Sequence, residues 1–154
     1  MPFHFSLQEV LDYRRRIEEM RQAEANEMRR RVEHLENLIG QARAQRMEYR
    51  RGLTVVVEQG KGFAYQQLYL DYLRGLDELI RRSEGHLEQL REELERRRRR
   101  LTEAARDRQV LDELLKEERK QYAISERRAE MKVFDEISIR QFLLSERERS
   151  AQGA

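Results

Sequence analysis

Leu73, Leu76, Ile80, Leu87, Leu90, Leu94, Leu101, Ala104, Leu111 and Leu115 recur on a seven-residue period, with polar residues between them. Side chains at that spacing fall on one narrow stripe of an α-helix, and such a stripe buries itself against another helix. An earlier apolar run comprises Val10, Tyr13, Ile17 and Met20, then Met28, Val32, Leu35, Ile39, Ala42, Tyr49 and Leu53. Between the two runs lies the one stretch hostile to helix, Gly52 to Gly62, with three glycines and the β-branched run Thr54-Val55-Val56-Val57. Glycine costs about 1 kcal/mol in a helix interior relative to alanine, and β-branched residues add smaller penalties. Gly60-Lys61-Gly62 is the best turn. The pattern predicts a first helix over about 5–57, a turn over about 58–63, a second helix over about 64–148 and a disordered tail, 149–154.

Two long helices joined by a short connection lie antiparallel. The expected fold is therefore all-α: one coiled-coil domain, 1–154, built as an antiparallel two-helix hairpin whose longer second helix overhangs the first. A short turn at Gly60 sets the register. Leu53 faces Tyr69, Ala42 faces Ile80, Leu35 faces Leu87, Val32 faces Leu90 and Met28 faces Leu94. Toward the N-terminus the apolar run slips by one residue between Met20 and Met28, so that Met20 faces Leu101, Ile17 faces Ala104 and Val10 faces Leu111. Glu24 then faces Arg97, a polar layer of the kind that fixes register. The first helix runs out opposite Leu115, and Lys116 to Glu148 contains no Gly or Pro. That leaves an overhang of roughly 50 Å at 1.5 Å per residue. It is not polar all round: Met131, Phe134, Ile137 and Leu144 lie along one side, with Ile139, Phe142 and Leu143 beside it. An isolated helix with such a face is adhesive, so a partner covers it or it folds back.

Composition narrows the class. With 40% charged residues, 38% hydrophobic and one proline in 154 residues, the chain lacks the means for a broad globular core. Charge this dense means disorder or long helices, and the leucine period selects helices. Basic and acidic residues number 32 and 30, so a net charge of +2 gives little pull toward nucleic acid. There is no cysteine, which removes disulfides and the usual zinc motifs and fits a reducing compartment. No run approaches the ~18–20 apolar residues of a membrane span, and the expectation is a soluble intracellular protein.

Catalytic chemistry finds no foothold. His4, His34 and His86 share no metal-ligand spacing, and no phosphate loop or nucleophile elbow is present. No enzyme activity, cofactor or metal is expected. The run Arg96 to Arg100 suggests nucleic acid, but Glu92, Glu93, Glu95 and Glu103 flank it. A DNA-reading basic helix spreads its cations over several turns without carboxylates among them. Arg96, Arg99 and Arg100 instead form a solvated, salt-bridged face, whose functional use would be contact with an acidic protein surface. The aromatic cluster after the turn has two readings. Tyr65, Tyr72 and Leu79 fall seven apart beside the buried stripe, with Leu68 farther round. They broaden the core near the hairpin tip, or they form a docking face with aromatic anchors.

Four stretches, in order, resemble the flagellar FliJ family: Phe3-His4-Phe5-Ser6-Leu7-Gln8-Glu9-Val10-Leu11-Asp12-Tyr13-Arg14, then Tyr65-Gln66-Gln67-Leu68-Tyr69-Leu70-Asp71-Tyr72-Leu73, Arg106 to Leu114, and Glu130-Met131-Lys132-Val133-Phe134-Asp135-Glu136-Ile137. The Arg96 to Arg100 and Val55 to Val57 runs are not family features. The resemblance implies a part of the flagellar type III export apparatus, shaped like the two-helix stalk of rotary ATPases. Its implied partners are the export ATPase hexamer, the cytoplasmic domain of the export gate membrane protein, and export chaperones. It implies a cytoplasmic protein held through partners at the inner face of the membrane, at the flagellar base. The tip cluster (Tyr65, Leu68, Tyr72, Leu79) and the overhang face (Met131, Phe134, Ile137, Leu144) are the expected contacts. Competing readings are a coiled-coil adaptor of a related secretion system, such as the injectisome stalk, and a nucleic-acid-binding helical arm.

Overall fold

A computed structural model describes residues 2–153. The chain is all-helical among the described residues, with two helices packed against each other: α1, Gln8–Glu58, and α2, Phe63–Gln152. Of the stretch Gly52 to Gly62, only 59–62 is non-helical. Gly60 has φ of 66°, the left-handed conformation that glycine adopts without Cβ strain, and it reverses the chain. Gly52 lies inside α1 for a different reason. A Cβ there would come within 2.7 Å of the Tyr69 ring, so its absence makes room for an aromatic side chain across the hairpin. The β-branched valines stay helical although only Val56 is buried, Val55 and Val57 being exposed, so packing at that one position outweighs their small helix penalties.

The residues expected as a single domain divide into two compact units, Arg14–Arg106 and Met1–Tyr13 with Asp107–Ala154. In the Arg14–Arg106 unit, Met28, Val32, Ile39, Leu87 and Leu94 form a buried cluster flanked by Leu35 and Leu90, as the register requires. Ion pairs cross the hairpin beside it: Arg46 to Asp77 at 3.2 Å, Arg91 to Glu36 at 3.0 Å, and Arg43 to Glu84. The expected one-residue slip is absent. Buried and half-buried positions of α1 recur three and four apart without interruption through Arg14, Glu18, Arg21, Ala25 and Met28. Met20, Tyr13 and Val10, assigned to the stripe because they are apolar, are exposed. The long stems of Arg and Glu can cover a seam while their charged ends reach solvent.

The polar layer also differs in detail. Arg97 faces Glu24 but donates to its main-chain carbonyl, at 3.2 Å. The Glu24 carboxylate accepts from Arg21, and Arg97 pairs with Glu93.

In the other unit, Phe5, Leu11 and Leu115 form a buried cluster, with Phe3, Leu7 and Leu111 against it. The first helix was expected from about residue 5, but α1 begins at Gln8 because the preceding residues turn to put both phenylalanines on α2. The Phe3 and Tyr122 rings lie 5.5 Å apart, with Arg119 over Phe3 at 5.7 Å. Beyond Ile124, every described residue except Ser145 is exposed. The segment expected as a disordered tail is helical as far as Gln152, with Ala154 outside the described residues.

Candidate docking surfaces

Helix α2 carries the whole tip cluster. At about 100° per residue, Tyr65, Leu68, Tyr72 and Leu79 share an arc of roughly 60°. All four are exposed, Leu68 at 68% and Tyr72 least at 43%. Tyr72 divides its surface: one side meets Tyr49 of α1, ring centroids 4.1 Å apart, and the rest faces solvent. Tyr65 is exposed, and the Lys61 ammonium lies 5.4 Å from its ring centre. Leu79 borders a shallow groove between the helices that Leu38, Ala42 and Ile80 also line. Part of Tyr72 thus packs on α1, while Tyr65 and Leu68 are more exposed than it is. Phe63 and Leu38 are exposed apolar neighbours that the leucine period did not indicate, since neither lies on it. Phe63 could have been found as an aromatic directly after the turn.

Within the Met1–Tyr13 and Asp107–Ala154 unit, Met131, Phe134, Ile137 and Leu144 are all exposed, as are Val133, Ile139, Phe142 and Leu143. They do not make one side. The helical turn groups Val133, Phe134, Ile137 and Leu144 within an arc of about 100°, while Met131, Ile139, Phe142 and Leu143 occupy a separate arc of about 120°. Met131 therefore belongs with Phe142, not with Ile137. Apolar surface on two sides of one helix is what a cleft or socket covers, rather than a single flat contact.

The arginine run is a mixed face. Arg96 and Arg97 both donate to Glu93, at 2.8 and 3.2 Å, and Arg99 lies 3.6 Å from Glu95. The paired guanidinium groups, Arg96 foremost, hold the Glu93 carboxyl below its ordinary range. The side chains of Arg98 and Arg100 have no such partner among the described residues, so Arg100 departs from the expected salt-bridged set. Among those residues no group of His, Asp and Glu is arranged to hold a metal ion, and no helix is long and apolar enough to cross a membrane.

The paired helices and the order of the four stretches agree with one family. Comparison with curated proteins and with solved structures yields no match. The family model of the flagellar FliJ protein matches residues 3–147, nearly the whole chain. This chain accordingly belongs to the flagellar FliJ family and is a component of flagellar protein export.

Proposed function

We propose that the protein couples the export ATPase ring to the cytoplasmic domain of the membrane export gate and assists the cycling of export chaperones. It acts by contact, without binding nucleotide, from the cytoplasmic face of the inner membrane at the flagellar base. The observation that carries this reading is the run 131–144, where eight large apolar side chains are exposed. Leaving so many uncovered in water favours association with another surface. The tip cluster supplies a second surface of different make-up, with aromatic rings that dominate binding energy where they anchor.

The test is binding of purified full chain to the purified ATPase and, separately, to the gate's cytoplasmic domain. The double variants are Tyr65→Ala with Leu68→Ala, and Phe134→Ala with Ile137→Ala. Each is expected to lose one partner and keep the other, with helicity unchanged. Two variants that both retain both partners would refute the assignment of these surfaces.

A further inference from the structure

Along one edge of the Arg14–Arg106 unit, opposite charges meet across the hairpin at seven-residue intervals. Arg43 pairs with Glu84, and Glu36 pairs with Arg91. Seven residues farther along each helix, the same register sets Arg29 of α1 opposite Arg98 of α2. The ladder thus reaches a rung made of two arginines. Neither is satisfied by the hairpin: Arg29 has only Glu33 of its own helix at 3.8 Å, both side chains more than half exposed, and Arg98 has no side-chain partner among the described residues. Met28 and Leu94, immediately inside this rung, are buried, so the two backbones are held and the like charges cannot separate by opening the seam.

We propose that the Arg29–Arg98 rung is a docking site for a carboxylate carried on a helix of an acidic partner protein. The incoming acid takes the place that Glu84 and Glu36 fill at the two neighbouring rungs. Two guanidinium groups offer forked donors that match a carboxylate, and a single acidic side chain on a partner helix laid along the edge supplies it. Nucleic acid fits less well. Glu33 and Glu95, one on each helix, both stand one turn from the rung on its turn-ward side, where a continuous phosphate backbone would meet them, while an isolated carboxylate needs only the rung itself. This site is independent of the tip and the 131–144 surfaces.

The test uses the full chain and a synthetic helical peptide carrying one central glutamate, beside its glutamine counterpart and a single-stranded oligodeoxynucleotide. Arg98→Gln is expected to weaken binding of the glutamate peptide about fivefold, and Arg29→Gln similarly. Arg128→Gln, an equal change of net charge on the bare part of α2, should alter it less than about twofold. Arg98→Glu should abolish binding and raise the melting temperature by about 1–3 °C, because it completes the rung with Arg29. The proposal is overturned by an Arg128→Gln loss as large as that of Arg98→Gln. A lower melting temperature in Arg98→Glu also overturns it, since the two arginines would then not face each other. Tighter binding of the oligonucleotide through the same arginines would replace the acidic protein with nucleic acid.

Discussion

Two stretches of this chain carry large apolar residues and treat them in opposite ways. In the paired stretch Met28, Val32, Ile39, Leu87 and Leu94 are buried against a helix of the same chain, in one unbroken register. Between Met131 and Leu144 every large apolar side chain is exposed, and α2 is helical there without one of them in a buried cluster. Fully burying a Leu or Ile contributes about 1.5–3 kcal/mol, so the first stretch is where cohesion of the hairpin resides. The second contributes little to folding, and its residues are free to serve contact. Fold and function thus draw on the same residue type at different places, and substitution separates them.

The largest expected effect is on the paired side. Leu94→Ala removes a buried side chain from the Met28–Val32–Ile39–Leu87 cluster and should cost about 2–5 kcal/mol, toward the lower end because a two-helix seam can relax. Thermal denaturation followed by circular dichroism reads it directly. Phe134→Ala with Ile137→Ala should move the same curve by less than about 0.5 kcal/mol per residue, as for surface sites. A large loss of stability from the second pair would mean that those residues are covered by the chain itself, and the comparison would collapse.

Intermediate effects are expected at the tip, where the two behaviours meet in one cluster. Tyr72→Ala gives up its contact with the Tyr49 ring, worth about 0.5–1.5 kcal/mol of stability. Tyr65→Ala should leave stability unchanged and act only on partner binding, by about 1–3 kcal/mol if the ring is an anchor. Equal destabilisation by both would place Tyr65 in the core.

Much of the paired architecture was legible because the leucine stripe of α2 is nearly uninterrupted and one turn fixes the register. Leu35 opposite Leu87 and Met28 opposite Leu94 follow from those two facts alone. The N-terminal part of α1 was not legible by the same means. Apolarity was the marker, and there the seam positions Arg14, Glu18 and Arg21 are polar while the off-seam Val10, Tyr13 and Met20 are apolar. Extending the strict period from Met28 backward would have found Ala25 and Leu11. The Phe3 and Phe5 turn could not be read from a helical period because it precedes the helix. The tip and overhang residues were identifiable as apolar residues off the stripe. The arc dividing Met131 from Ile137 needed the continuous helical phase, and the Arg29–Arg98 rung needed the edge pairs that reveal its neighbours.

The smallest expected effect concerns charge on the paired side. Arg96 and then Arg97 hold the exposed Glu93 carboxyl below its ordinary value of 4.5 by donating hydrogen bonds to its ionised form. A carboxyl whose folded pKa is depressed binds its proton less readily folded than unfolded. Its contribution is therefore present above the unfolded value near 4.5 and lost as pH falls through the lower folded value. Glu93→Gln should lower the melting temperature slightly at pH 7, and the difference from the unsubstituted chain should close as the solution is acidified below 4.5. Raised salt should narrow it at neutral pH as well, because the pair is solvated. The same exchange at Glu136, on the bare stretch and without a partner among the described residues, should leave the neutral-pH melting unchanged. A gap for Glu93→Gln that persists unaltered in acid would assign the loss to helix propensity rather than to the Arg96 and Arg97 pairs. The paired stretch would then differ from the bare one by apolar burial alone.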